Sequence, residues 1–141
     1  MLRSVALAVT PAPSAPTPGR EVLLVDDDED IRETVRGVLE ARGYEVQVAV
    51  NGHEAFERLG THGRPALIIL DLMMPVMNGW QVLDRLEADE ALRSTSVIVV
   101  SAAGERAVVR QPVRVIQKPF RLKTLLEAVT AHCGPPAAGA T

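Results

Sequence analysis

Acidic, hydroxyl and ammonium side chains stand at or just after the ends of predicted strands, and together they suit metal-dependent phosphoryl chemistry. They are Asp26, Asp27, Asp28, Asp71, Ser101 and Lys118. Clustered carboxylates repel one another and therefore suggest a bound cation, and oxygen ligands of this kind suit Mg²⁺. A lysine supplies positive charge to a phosphoryl group, and a hydroxyl donates a hydrogen bond to one of its oxygens.

Asp71 is the natural nucleophile for such a reaction, because it stands alone at the end of a central predicted strand. An aspartate that attacks phosphorus forms an acyl phosphate. Asp26 and Asp27 would then hold the metal ion. The protein's contribution to phosphoryl transfer is mainly positioning and charge stabilisation, which this set of side chains could supply.

Each of these side chains also has an ordinary structural explanation. Asp28 could cap the first helix, because acids are favoured near a helix start. Asp71 could be a turn residue, and Ser101 and Lys118 could be polar groups on the surface. The functional interpretation is favoured by their joint placement, because the ordinary explanations do not require these residues to meet.

The elements that must position these residues alternate between strand-like and helix-like patterns. The strand-like segments are 22–25, 44–50, 66–70, 97–100 and 113–116. Most are continuous apolar runs, which are typical of strands buried on both faces. Strands that alternate with helices predict an α/β fold, with a five-stranded parallel sheet covered by helices on both faces. The functional site of such a sheet lies beyond the carboxyl ends of its strands.

Composition and charge predict one globular domain. The chain has 141 residues, of which 47% are hydrophobic and 23% are charged. We predict a flexible Pro- and Ala-rich tail at 1–20, a folded domain at 21–133 and a second flexible tail at 134–141. The net charge of −3 offers no basic face for nucleic acid, and no apolar run approaches a membrane span of ~20 residues. We therefore expect a cytoplasmic protein without nucleic-acid or membrane partners.

Four stretches of the chain resemble the receiver domain of bacterial two-component response regulators. They are VLLVDDDED at 22–30, IILDLMMPVMNG at 68–79, VIVVSAA at 97–103 and QKPF at 117–120. Their order also agrees, and the resemblance covers about 21–133. It implies the flavodoxin-like strand order 2-1-3-4-5 and a single-domain, CheY-like signalling protein rather than an enzyme that turns over an external substrate.

The resemblance also assigns roles around the acidic residues. It implies that Asp71 is the phosphoacceptor, which takes its phosphoryl group from a sensor histidine kinase or a phosphotransfer protein. Asp26, Asp27 and Asp71 would hold Mg²⁺, and the backbone carbonyl of Met73 would complete the protein's share of the coordination. The phosphorylated form would then act on a downstream protein target.

Lys118 and Ser101 stand where the family has its catalytic lysine and its switch hydroxyl, and the Lys118–Pro119 bond is usually cis in the family. Two features depart from the family pattern. Val115 occupies the switch position that is usually aromatic, which puts the usual coupling between hydroxyl and aromatic ring in question. Only residues 102–112 separate the fourth and fifth strands, so the fourth helix of the family is expected to be shortened or irregular here.

Two other function classes remain open at this point. A pseudo-receiver that acts only as an interaction domain would fit the replacement of the aromatic residue by Val115. An aspartyl-phosphate phosphatase is suggested by the spacing of Asp26 and Asp28. Against the phosphatase, Glu29 follows that pair, and the sequence offers no region for a substrate-specificity cap.

Overall fold

The computed structural model describes residues 19–102, 109, 111 and 113–133, which contain five strands and four helices. The elements run in the order β1 (Glu21–Val25), α1 (Glu29–Ala41), β2 (Glu45–Ala49), α2 (Gly52–His62), β3 (Leu67–Asp71), α3 (Gly79–Ala88), β4 (Ser96–Ser101), β5 (Arg114–Gln117) and α4 (Leu122–Cys133). The strands lie within two residues of their predicted bounds. Asp71 is the last residue of β3, and Ser101 is the last residue of β4.

The five strands form one parallel sheet in the order β2-β1-β3-β4-β5, which confirms the predicted topology. The register pairs Val25 at the end of β1 with Ala49 on β2 and with Leu70 on β3. It pairs Asp71 with Val100 on β4. The carboxyl ends of the central strands consequently lie side by side at one edge of the sheet.

Apolar side chains leave both faces of β1 and explain its continuous hydrophobic run. Val22 and Leu24 join the cluster that packs against α1 and α4, whereas Leu23 and Val25 join the cluster that packs against α2 and α3. All four residues are at most 2% exposed. A strand covered on both faces must be apolar at every position, which is why its sequence does not alternate.

Side-chain caps fix where three of the helices begin; Asn51 caps α2 by accepting from the backbone N–H of Glu54. The Asp28 carboxylate accepts hydrogen bonds from the backbone N–H groups of Asp30 and Ile31 at the start of α1. Asn78 and Gln81 form a reciprocal capping box at the start of α3, as the sequence predicts. These caps satisfy N–H groups that have no partner within a helix, so α1 and α3 begin immediately after the loops that follow β1 and β3.

Several predictions fall on residues outside the described part of the chain. These residues are 1–18, 103–108, 110, 112 and 134–141, which include nearly all of the first predicted tail and all of the second. The region 102–112, for which a shortened or irregular fourth helix is predicted, also falls largely outside the described residues. None of the helices in the described ranges combines the length and the apolar character that a membrane crossing requires.

Candidate functional site

The carboxyl edge of the sheet brings two acids and an ammonium group into contact. Lys118 Nζ lies 2.9 Å from Asp26 Oδ2 and 3.6 Å from Asp71 Oδ2. One carboxylate oxygen from each of Asp26, Asp27 and Asp71 lies within 4.8 Å of the other two. The residues come from the end of β1, the loop that follows it, the end of β3 and the loop after β5. We call these four residues the acid pocket.

Asp26 is fully buried and is fixed by hydrogen bonds at every polar atom. Its backbone N–H donates to the carbonyl of Ala49 (3.1 Å), which continues the pairing of β1 with β2. Its Oδ1 accepts from the backbone N–H of Asp28 (2.9 Å), and its Oδ2 accepts from Lys118 (2.9 Å). Its carbonyl oxygen accepts from Arg32 Nη1 (2.8 Å). These hydrogen bonds hold both the backbone and the carboxylate of Asp26 in place in the acid pocket.

Asp71 is 3% exposed, and the low polarity of its surroundings disfavours its charged form. Burial and the neighbouring charge of Asp26 raise the pKa of Asp71 from 3.8 to about 7. The charge of Lys118 and a hydrogen bond from the backbone N–H of Met73 (3.2 Å) act in the opposite direction. Another cation beside Asp71 would favour its carboxylate form.

Lys118 is held between the two buried acids. Burial lowers the pKa of the Lys118 ammonium, but the hydrogen bond and charge of Asp26, together with Asp71, outweigh burial and raise that pKa overall. The backbone N–H of Lys118 donates to the carbonyl of Ser101 (2.7 Å), and the Lys118–Pro119 bond is cis, as the resemblance implies. Lys118 therefore stays positively charged in the acid pocket.

Ser101 and Val115, the two predicted switch positions, lie in different environments. Ser101 is fully buried and stands one residue beyond Val100, the partner of Asp71 in the sheet register. Val115 pairs with Val99, two residues before Ser101, and is 41% exposed. The structure thus places the hydroxyl residue beside the phosphoacceptor candidate, and the aliphatic residue on an exposed part of the edge strand β5.

The residues present fit a divalent cation. Three carboxylates converge, and Lys118 is the ammonium group in contact with two of them. Asp27 is exposed, so one side of the acid pocket is open to solvent. The backbone N–H of Met73 donates to Asp71 Oδ1, so the main chain of Met73 lies beside the acid pocket. Carboxylate, carbonyl and water oxygens form the donor set that Mg²⁺ prefers.

Two residues that shape the site received no role from the sequence. Gly79 packs so tightly under the β3–α3 loop that a Cβ on it would lie 2.5 Å from the Asp71 carbonyl oxygen and 2.6 Å from Leu72 Cα. The only sequence signal for Gly79 was its place in a stretch that resembles the family. Arg32 had no signal, because its contact with the backbone depends on the path of the folded loop. Asp28, by contrast, is the helix cap that its ordinary explanation predicts.

Comparison with known proteins identifies relatives among response regulators. The response regulator receiver domain family matches residues 22–130. Protein PilG of Pseudomonas aeruginosa is 33% identical over 122 residues, which cover 81% of this chain and 87% of PilG. Response regulator Rre1 of Synechocystis is 42% identical over 84 residues, or 59% of this chain. The matches span only 36% of Rre1 and 51% of the transcriptional regulatory protein CrdR of Helicobacter pylori.

Solved structures share the same fold. The chemotaxis protein CheY4 of Vibrio cholerae superposes with a TM-score of 0.69 at 28% identity, covering 79% of this chain and 97% of that chain. A signal receiver domain of a histidine kinase from Syntrophus aciditrophicus also gives 0.69 at 28% identity, covering 80% of this chain and 89% of that one.

Proposed function

Because the chain belongs to the response regulator receiver domain family, whose members are phosphoacceptors in two-component signalling, we propose that Asp71 is the residue that accepts the phosphoryl group. The observation that carries this assignment is the contact of Lys118 with both Asp26 and Asp71 at the carboxyl edge of the sheet. Asp71 is the acid of this pair that ends a central strand.

The proposed reaction transfers a phosphoryl group from a phosphohistidine to Asp71. A carboxylate oxygen of Asp71 attacks phosphorus, the phosphorus–nitrogen bond breaks, and its electron pair stays on the imidazole nitrogen of the donor. Lys118 neutralises negative charge on the phosphoryl oxygens during transfer. Ser101 is the last residue of β4 at the same edge of the sheet, and its hydroxyl would donate to an oxygen of the acyl phosphate.

We assign Asp26, Asp27, Asp71 and the carbonyl oxygen of Met73 as the groups that would hold Mg²⁺. When bound, the ion would offset the charge of the carboxylates and of the phosphoryl oxygens. The carboxylate of Asp26 is buried, whereas the carboxylate of Asp27 is exposed and accessible to an ion that enters from solvent.

We propose that the phosphoryl donor is a sensor histidine kinase or a phosphotransfer protein, and that a downstream protein target binds the phosphorylated form. We also place this exchange in the cytoplasm, where ATP supplies the phosphoryl group. The receiver family is a signalling family rather than one of ordinary enzymes. The chemistry we assign to the acid pocket is limited to phosphorylation and dephosphorylation of the chain itself.

Intact-mass measurement after incubation with acetyl phosphate tests the phosphoacceptor. We expect one phosphoryl adduct that requires Mg²⁺, disappears with chelator and is cleaved by hydroxylamine. Asp71→Asn should remove the adduct. Asp89→Asn is the matched control, because Asp89 is an exposed aspartate just beyond α3 and its amide oxygen can still accept from the Ala91 N–H. A Mg²⁺-dependent adduct on the Asp71→Asn protein would contradict the assignment.

Calorimetric titration tests the metal ligands. Asp27→Ala should weaken Mg²⁺ binding about tenfold or more, because one carboxylate ligand and its charge are lost. Asp28→Asn is the control, since it changes the neighbouring acid while keeping an oxygen that can cap α1. Equal Mg²⁺ affinities of the wild-type and Asp27→Ala proteins would exclude Asp27 as a ligand.

A further inference from the structure

We propose that Arg32 is a positioning residue that holds the loop between β1 and α1 in the shape that binds a divalent cation. The inference rests on the proposed function of the acid pocket. Its central observation is the hydrogen bond from Arg32 Nη1 to the main-chain carbonyl of Asp26, which is 2.8 Å long and joins residues six positions apart.

The Asp26 carbonyl lies just beyond the sheet ladder. The paired positions of β1 end at Val25, and Asp26 itself is fully buried. A buried carbonyl without a hydrogen-bond donor is costly, so the loop would move to find one. Arg32, in the second turn of α1, donates a hydrogen bond to the Asp26 carbonyl. The loop can therefore keep its shape with this carbonyl satisfied.

Arg32 contacts the loop at two points. Its own backbone N–H donates to the carbonyl of Asp28 (3.0 Å), while its side chain donates to the carbonyl of Asp26. The backbone bond is the first hydrogen bond of α1, which most residues at this position would make, so the side-chain bond to Asp26 is the contact that depends on arginine.

The bond to Asp26 also orients Asp27. The carbonyl of Asp26 and the N–H of Asp27 belong to the same planar peptide unit, so a donor that fixes one fixes the direction of the other. Asp27 is the exposed acid of the pocket, so its direction depends on the backbone of the loop more than on packing around its side chain. Arg32 thus acts on the metal-binding carboxylate through the backbone.

The charge of Arg32 and its hydrogen bond have opposite effects on cation binding. A guanidinium near the acid pocket repels a cation, so removing its charge alone should tighten Mg²⁺ binding. Removing the hydrogen bond should weaken Mg²⁺ binding, because the carboxylates lose their arrangement. The sign of the change in affinity therefore distinguishes a positioning residue from a nearby charge.

The experiment compares Arg32→Met with Arg36→Met in the full chain. Arg36 lies one turn further along α1, and its side chain is 49% exposed and pairs with Glu40 at 3.2 Å. We expect Arg32→Met to weaken Mg²⁺ binding about tenfold in calorimetric titration, which is typical for the loss of a group that orients a metal ligand. Arg36→Met should bind as the wild type does or slightly more tightly. Arg32→Lys, which keeps the charge and a donor, should recover part of the lost affinity.

Amide hydrogen exchange in chelator provides a readout that does not depend on metal or activity. The Asp28 N–H donates to Asp26 Oδ1, so it reports the shape of the loop directly. We expect its exchange to become about tenfold faster in Arg32→Met, while exchange in the β3 strand stays unchanged. A general loss of stability would instead accelerate exchange throughout the sheet.

Unchanged or tighter Mg²⁺ binding by Arg32→Met, or an equal loss in Arg36→Met, would overturn the inference. If Arg32→Met does not fold, Arg32→Gln takes its place, because its amide ends about two bonds short of the guanidinium; wild-type affinity in that variant would also overturn it. A wild-type protein that binds no Mg²⁺ would instead contradict the proposed function, and the exchange of the Asp28 amide would still test Arg32.

Discussion

The sheet buries two kinds of region with opposite chemistry. Its two faces bury apolar and aromatic side chains, whereas the buried polar residues of the described chain are Asp26, Asp71 and Ser101, all at the carboxyl edge. Burial of an apolar side chain stabilises the fold and requires no hydrogen-bonding or charged partner. Burial at the edge brings like charges together and raises the pKa of Asp71 to about 7. The same strands therefore stabilise the fold along their length and carry a costly site at their ends.

Breaking the apolar region should have the largest effect on stability. Leu67 is fully buried at the start of β3, at the opposite end of the strand from Asp71. Leu67→Ala should lower the free energy of unfolding by about 3 kcal/mol, because it removes buried surface and leaves a cavity. Urea denaturation measures the loss. Mg²⁺ affinity of the folded variant should stay at the wild-type value; a tenfold change would show that the two regions are not separate.

Removing the charge of Asp71 should raise the free energy of unfolding, whereas Leu67→Ala lowers it. Because the folded-state pKa is raised from 3.8 to about 7, the folded protein holds a proton that the unfolded chain releases, and stability falls as pH rises through this window. Asp71→Asn should therefore raise the free energy of unfolding by about 2 kcal/mol at pH 8 in chelator. The gain should shrink toward pH 4. Denaturation across this range checks the sign, and equal gains at both ends would refute the burial argument.

Disturbing the packing of the start of α3 against the end of β3 should destabilise the fold less than Leu67→Ala does. Gly79→Ala places a methyl group against the backbone of Asp71 and Leu72, so we expect a loss of about 1–2 kcal/mol. Gly37→Ala is the matched control, because nothing lies within 4 Å of a Cβ at that position of α1. That control should gain about 0.5–1 kcal/mol from helix propensity. Thermal denaturation in chelator compares the two; equal shifts would contradict the tight packing around Gly79.

The smallest effect is expected at the exposed acid of the pocket. Asp27→Ala relieves repulsion with Asp26 and Asp71, so the thermal midpoint in chelator should rise slightly. Calorimetry measures the thermal midpoints of the wild-type and Asp27→Ala proteins in chelator and in Mg²⁺. The wild type should have the lower midpoint in chelator and the higher midpoint in Mg²⁺. A lower midpoint without metal would mean that Asp27 supports the fold rather than only the pocket.

The strands could be predicted because their physics is local. The segment 66–70 is apolar at every position, which is the pattern that a strand buried on both faces requires. The cap at Asn78 and Gln81 was equally readable, because both hydrogen bonds lie within four residues. The meeting of Asp26, Asp71 and Lys118 followed from the rule that parallel strands end at one edge.

The contacts of Arg32 and Gly79 could not be predicted in this way. The hydrogen bond from Arg32 to the Asp26 carbonyl depends on a rotamer and on the path of a loop, neither of which the residue types specify. The close approach of Gly79 to the Asp71 carbonyl depends on how the β3–α3 loop folds back onto its own strand. Both are shape-dependent contacts with backbone atoms.

The sequence by itself determined the alternation of strands and helices, the edge of the sheet where function lies, and the residue types available for phosphoryl and metal chemistry. Hydrophobic patterning and caps act over a few residues, so they are written in the chain. Only the tertiary structure decided that Asp26 faces Lys118 and that burial shifts the pKa of Asp71. Those properties depend on distance and on exclusion of water, which exist only once distant segments have packed together.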